Sequence, residues 1–136
     1  ATAAGCIIEY VGRLACMCGT TAERERARDY LNWLLAQRLG PVSVDILDRD
    51  DVTCVEIPKD SVGFITGYRG ESLRRIEEQS GSFLFTNGAD GTDRSKEEET
   101  LLIFSHDVYN RKKAKRIISE KIEDHKDMRS RGGGGG

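Results

Sequence analysis

The chain has 136 residues, room for one domain and an additional packed element but not for two ordinary domains. Apolar residues make up 38% of it and charged residues 32%, a balance that excludes a disordered chain, and no apolar run approaches membrane-spanning length. The net charge is −2 and acid exceeds base in residues 41–136 as well, so no broadly basic surface is offered and any nucleic-acid binding must rest on a local site.

Ala1-Thr2-Ala3-Ala4-Gly5 has no basic start followed by an apolar run and does not read as a signal peptide; the missing initiator Met fits a fragment of a longer chain. Residues 6–11 and 13–18 are short β-favouring runs, and Gly12 between them predicts a tight hairpin. Thr20 and Glu23 have capping-box spacing, and Ala27, Tyr30, Leu31 and Leu34 fall on one face of a helix that Gly40-Pro41 ends. Trp33 and Leu35 widen that face, which predicts burial against a neighbour. After an Asp-rich join at 45–51, Val52 to Ile57 reads as a strand closed by Pro58. Helical segments at 60–66 and 71–79 follow, separated by Gly67-Tyr68-Arg69-Gly70. Strands at 82–87 and 101–105 flank a loop over 88–100 that is rich in Gly, Asp and Glu. The last helix starts near Asp107, buries Ala114, Ile117, Ile118 and Ile122 and fades by 125. Residues 126–136, with Arg131 and the five terminal glycines, are expected to form a flexible basic tail.

Cys6, Cys16, Cys18 and Cys54 sit at irregular intervals inside apolar runs, the pattern of free buried thiols in a reducing, intracellular compartment, nuclear or cytoplasmic. A zinc site would need paired ligands at loop-type spacing, whereas Cys16-Met17-Cys18 places two thiols on one face of a strand. No metal and no cofactor are expected.

An internal repeat organises these elements. Leu14 aligns with Leu101, Ala27 with Ala114, Arg28 with Lys115, Tyr30 with Ile117 and Leu31 with Ile118 at a constant offset, and Gly5-Cys6-Ile7-Ile8 matches Gly81-Ser82-Phe83-Leu84. Residues 1–40 therefore read as the strand-strand-helix ending of one unit, joined by a linker at 41–51 to a whole copy at 52–125. A plain hairpin and helix is the alternative. Such a half-unit lacks a glycine-bracketed loop of its own, so packing or spacing is its expected role.

The functional signal is Gly67-Tyr68-Arg69-Gly70. Two glycines around two residues let the chain bend sharply between helices and bring its backbone close to a ligand. A helix starting at that bend turns its unpaired N–H groups and positive dipole end toward an approaching phosphate. Arg69 adds a forked cationic donor, and Tyr68 a hydroxyl and a ring able to stack.

The segment Ile57-Pro58-Lys59-Asp60-Ser61-Val62-Gly63-Phe64-Ile65-Thr66-Gly67-Tyr68-Arg69-Gly70-Glu71-Ser72-Leu73-Arg74-Arg75-Ile76, ending in Ser80-Gly81, resembles the core of the K-homology (KH) family. Gly63, Ile65, Gly67, Gly70, Ile76 and Gly81 fall where that family's pattern places them. The resemblance implies an α+β, type I KH fold: strand-helix-helix-strand-strand-helix, a three-stranded antiparallel sheet packed on three helices, here preceded by a β-hairpin and helix. It also implies a groove holding about four nucleotides of a single strand, with the loop gripping the backbone. Gly63, Phe64 and Thr66 would form one wall together with the loop, Leu73 and Arg74 would lie nearby, and the strand 82–86 with the 88–100 loop would form the other. On that strand Phe83 and Phe85 share one face and Leu84 the other, so either set can line the groove while the other is core. Glu97, Glu98 and Glu99, read as part of the loop, would repel phosphates. Arg111, Lys112, Lys113, Lys115 and Arg116 form either a second contact surface or the solvated face of the last helix.

Sequence-selective binding of single-stranded RNA is the leading functional expectation, with single-stranded DNA as a variant of it. From another class comes a protein-interaction or assembly role within a larger ribonucleoprotein, suggested by the acidic balance and by Tyr30, Trp33, Leu34 and Leu35. No enzyme is expected, since His106 and His125 lie outside any nucleophile motif, metal spacing or nucleotide loop.

Overall fold

In chain order the backbone forms β1 (Ile7–Val11), β2 (Leu14–Cys18), α1 (Thr21–Ala36), β3 (Val52–Pro58), α2 (Lys59–Thr66), a single 3-10 turn (Tyr68–Gly70), α3 (Glu71–Ser80), β4 (Phe83–Thr86), β5 (Glu98–Phe104) and α4 (Val108–Gly135). This is seen in a computed structural model that describes residues 3–11, 14–88 and 97–135. The order of elements and the α+β class are those expected from the sequence.

The main sheet has the order β3-β5-β4, antiparallel throughout, with Val52 opposite Phe104, Ile57 opposite Glu99 and Phe83 also opposite Phe104. Its central strand carries the run Leu101-Leu102-Ile103-Phe104, all buried. An unbroken apolar run is what a strand covered on both faces requires. Leu101 and Ile103 point to one core, with Val55, Ile57 and Leu84 from the flanking strands and Ile65, Ile76, Ala114, Ile118 and Ile122 from the helices. Leu102 and Phe104 point to the opposite face, with Phe85, Ala27 and Tyr30. β5 begins earlier than its sequence suggests: Glu98 and Glu99 pair with Pro58 and Ile57, and the Thr100 hydroxyl donates to Glu56 at 2.8 Å. Cross-strand pairing with β3, not residue type, decides where that strand starts.

Pro58 ends β3 and, with φ of −55°, lets the chain pass directly into α2. Gly81, at φ of 65°, ends α3 in the left-handed conformation that an L side chain resists. α4 starts behind Asp107, whose carboxylate accepts from the Tyr109 N–H at 2.9 Å. It runs well past residue 125, where a flexible tail was expected. His125 stacks on Phe64 of α2 with ring centroids 4.8 Å apart, its Nδ1 lies 2.9 Å from the Ser61 hydroxyl, and Arg129 pairs with Asp60 at 2.9 Å. These contacts tie the continuation to α2. Glycines 132–135 are helical as well, against their low propensity, and no contact among the described residues accounts for it.

The N-terminal segment covers the face of the sheet that the other helices leave open. β1 and β2 pair as an antiparallel hairpin, whose turn at 12–13 lies outside the described residues. Thr20 and Glu23 form the reciprocal capping box of α1. Tyr30 and Trp33 then meet an aromatic layer: the Trp33 ring is 4.7 Å from that of Phe104, and Tyr30 is 5.8 Å from Phe83. A polar lock lies beside this layer. Asp51, 3% exposed, accepts the Tyr30 hydroxyl at 2.6 Å and two bonds from Arg49 at 2.8 and 2.7 Å, while Arg49 also reaches Asp29 at 3.0 Å and covers the Trp33 ring. Burial alone would raise the Asp51 pKa; the bonds from Arg49 and Tyr30 outweigh it and hold the carboxyl below its ordinary value of 3.8. The join between the two halves is packed too, since Val42, Val44 and Ile46 lie against this core and the Gly88 N–H donates to the Val42 carbonyl at 2.8 Å.

The thiols depart from expectation. All four are free, but only Cys6 is buried, its Sγ 3.0 Å from the Cys18 carbonyl; Cys16, Cys18 and Cys54 are exposed. The hairpin and the outer side of β3 each keep a face open to solvent, and those thiols sit on it. Among the described residues no helix is long and apolar enough to cross a membrane.

Because Asp51 is depressed in the folded state, its stabilisation is complete above the ordinary carboxylate range and is lost as pH falls below it. Tyr30→Phe is expected to cost about 1–2 kcal/mol at neutral pH by removing one charge-assisted bond. Arg49→Met is expected to cost about 3–5 kcal/mol by leaving a buried carboxylate unpaired, and its deficit should shrink as Asp51 is protonated. Urea denaturation of both variants at neutral pH and near pH 3 checks the sizes and the sign.

Candidate functional site

The loop between α2 and α3 has the bend that its sequence requires. Gly67 has φ of 75° and Gly70 of 74°, and between them Arg69 has φ of 54°, the one left-handed residue other than glycine among those described. At Gly67 a Cβ would meet the Ser72 Cβ at 2.7 Å and the Ser72 nitrogen at 2.9 Å, so any side chain there strikes the first turn of α3. The turn is closed by the Gly67 N–H on Gly63 O at 2.9 Å and the Gly70 N–H on Gly67 O at 3.2 Å, and the Arg74 guanidinium donates to Arg69 O at 2.8 Å. The helices are thus separate, and residues 67–70 are at the surface.

Tyr68, 76% exposed, lies under the Arg69 guanidinium at 5.2 Å from its ring centroid. The Arg69 guanidinium makes no ion pair with a carboxylate among the described residues. Gly70 occupies the N-cap of α3 and offers no side-chain cap, so the first N–H groups of that helix have no side-chain partner. Cation and aromatic ring are exposed side by side at the start of α3, whose Glu71 N–H is bonded to Tyr68 O. On α2, Gly63 is exposed and a Cβ there would meet nothing, and Thr66 at the helix end is half-buried.

Beside the loop is a cleft of about 440 Å³, within the range of roughly 300–1,000 Å³ common for ligand sites. One side is Arg69, Gly70, Leu73, Arg74 and Glu77; Phe83 and Leu84 of β4 line it as well. The third side is Leu34, Gln37 and Arg38, at the end of α1 and just after it. Glu77 is tied to the free edge of the sheet, accepting the Leu84 N–H at 3.1 Å; burial raises its pKa, opposed by that bond and by Arg74.

Of the residues proposed from sequence, Arg69, Gly70, Leu73, Arg74, Phe83 and Leu84 border this cleft, whereas Gly67 and Tyr68, which precede Arg69 in the loop, do not line it. Phe64 faces elsewhere, toward His125 of α4. Both faces of β4 are committed to packing: Leu84 is 2% exposed in the helix-side core, Phe85 is 4% exposed under Trp33, and only Phe83 is half-buried. Sequence parity showed which of them share a face but not that α1 covers the other. Glu97 and Glu98 border a different hollow, with Pro58, Lys59 and Asp60, so the acid expected to confront phosphate lies at the β3 edge of the sheet. The basic cluster splits as well. Arg111 is buried and donates to Ser105 O at 2.7 Å and Asp50 O at 3.0 Å, while Lys112, Lys113, Lys115 and Arg116 are exposed.

Gln37, Arg38 and Glu77 were not singled out from sequence. Glu77 carried a signal, being one helical turn beyond Leu73 on the same face; Arg38 carried none.

Two substitutions separate the loop's geometry from its chemistry. Gly67→Ala should destabilise the fold by about 2–3 kcal/mol through strain and collision with Ser72. Arg69→Gly should stabilise it by up to about 1 kcal/mol by relieving the left-handed residue. Thermal denaturation of the two variants reads both signs.

Compared with models of protein families, residues 52–120, just over half of the chain, match the KH domain. A search of curated proteins returned no match. With the matched stretch running from β3 into α4 across the bend, the sheet and the helices described above, the chain belongs to the KH domain family, whose members are in general nucleic-acid-binding domains.

Proposed function

We propose that this domain binds single-stranded RNA, holding the sugar-phosphate backbone at Gly67-Tyr68-Arg69-Gly70 and laying about four nucleotides along the neighbouring cleft. The observation that carries this reading is the strained, exposed Arg69 held beside an uncapped helix start. A cationic residue kept in a costly conformation, with no carboxylate partner among the described residues, is best explained by a ligand that uses it. Phosphate meets both the guanidinium fork and the helix N–H groups. Bases would then fall toward Leu73 and Phe83, where apolar surface favours stacking and packing.

The role as an assembly module has less to stand on. Tyr30 and Trp33, which suggested it, are turned onto the chain's own sheet, leaving Leu34 and Leu35 about half exposed. The histidines are in structural contacts as well, His106 Nδ1 at 3.0 Å from the Ala3 carbonyl and His125 against Phe64.

The double variant Tyr68→Asp/Arg69→Asp places two carboxylates where the phosphate is proposed to sit. Its affinity for a pool of short single-stranded RNAs should fall by roughly tenfold or more at moderate salt, with the circular dichroism spectrum unchanged. A folded double variant that binds as the parent does would end the clamp reading. Equal affinity for a matched DNA pool would assign the cleft to single strands of either sugar.

A further inference from the structure

We infer that the end of α1 and the turn after it are a working wall of the nucleic-acid cleft, with Arg38 as a cationic contact to the strand in addition to Arg69. This rests on the proposal that the loop at 67–70 grips a phosphate.

Three observations support it. First, the cleft is closed on the side opposite α3 by Leu34, Gln37 and Arg38, which belong to the N-terminal hairpin and helix and lie outside residues 52–120. A strand entering at the loop and lying along α3 passes between α3 and α1. Second, the charge there is opposite to that of the chain. The chain's net charge is −2, yet the cleft is bordered by the guanidinium-bearing Arg38, Arg69 and Arg74 against the single carboxylate of Glu77, and Glu77 is itself held by the Leu84 N–H. Arg38 is exposed and makes no ion pair or side-chain hydrogen bond among the described residues, unlike Arg49 and Arg111. Third, α1 is fixed. Tyr30 and Trp33 on the helix and the Arg49–Asp51 lock beside them hold its register against β5, so its last turn is presented at a set distance from α3.

A fixed wall costs less ordering on binding than a mobile loop would. Guanidinium groups on both sides also let the cleft neutralise more than the one phosphate at the bend. The side chain of Leu34, 48% exposed, adds apolar surface facing Leu73 and Phe83 across the cleft. The N-terminal hairpin and helix thereby supply binding surface besides packing.

The test uses the full chain and a fluorescein-labelled pool of short random single-stranded RNA, with four proteins: the parent, Arg38→Glu, Arg38→Lys and the loop double variant. Arg38→Glu should weaken binding about five- to tenfold, Arg38→Lys should recover most of that loss, and the slope of log affinity against log salt should drop by about 0.7 for one lost phosphate contact. In parent spectra, RNA should move the NMR signals of the Gln37 side-chain amide and Arg38 Nε–H. If Arg38→Glu binds within twofold of the parent while the loop double variant loses binding, the loop grip stands and the α1 wall is wrong. Where Arg38→Glu weakens binding and the loop double variant does not, the wall holds and the loop reading fails. A parent chain that binds none of the pool overturns both. Circular dichroism guards against misfolding, and a misfolded Arg38→Glu would contradict the exposed, unpaired position assigned to it.

Discussion

The structure depends on how the outer face of the β3-β5-β4 sheet is kept from water. Leu102, Phe104, Phe85 and Phe83 would form a large apolar patch if the domain ended at its own three helices. α1 removes it, and the removal is specific because the aromatic layer is flanked by a buried carboxylate that needs both the Tyr30 hydroxyl and the Arg49 guanidinium. Apolar contact supplies most of the stabilisation. The polar lock fixes the position, since sliding α1 by one turn would take the Tyr30 hydroxyl from the buried Asp51 carboxylate and Asp29 from Arg49. From that fixed position follows the site of Leu34, Gln37 and Arg38, and with it the width of the cleft.

The two ends of the KH unit illustrate the same economy of attachment. Near its start, Arg111 grips the Ser105 and Asp50 carbonyls and so joins the head of α4 to the strands around it. Farther along, His125 and Arg129 seat the later turns of α4 on α2 through Phe64, Ser61 and Asp60. Helix α2 is therefore held on its far side from the bend. Strain in the bend at Arg69 is tolerated because the elements on either side are independently anchored, Ile65 and Ile76 both being fully buried.

Much of this was legible from the residues. The bend at 67–70, the burial of Ala114, Ile118 and Ile122, and the capping box at Thr20 and Glu23 follow from local rules about glycine, helical period and helix ends, and local rules need only neighbours in sequence. What was not legible depends on partners far away in the chain. Phe64 fits the spacing of a groove residue, and only the approach of His125 turns it toward α4. Arg111 is indistinguishable from Lys112 and Lys113 in a basic run, and its burial is set by carbonyls at 50 and 105. Glu98 and Glu99 have the composition of a loop, yet pairing with Pro58 and Ile57 makes them strand. For Leu84 and Phe85, alternation assigns opposite faces; that both faces are covered is a property of α1.

Because Tyr30 and Trp33 pack on Phe104, α1 and the KH sheet are expected to open as one cooperative body, so that the cleft between α1 and α3 keeps a fixed shape in the folded state. Native-state hydrogen exchange followed residue by residue measures this. The slowest amides of α1, around Ala27 to Leu31, should exchange with the same opening free energy as those of β5 at Leu102 to Phe104, and both should fall together when denaturant is raised. Rapid exchange throughout α1 while β5 and α4 remain protected would contradict it, for the N-terminal helix would then be a loosely attached segment and no wall of a site.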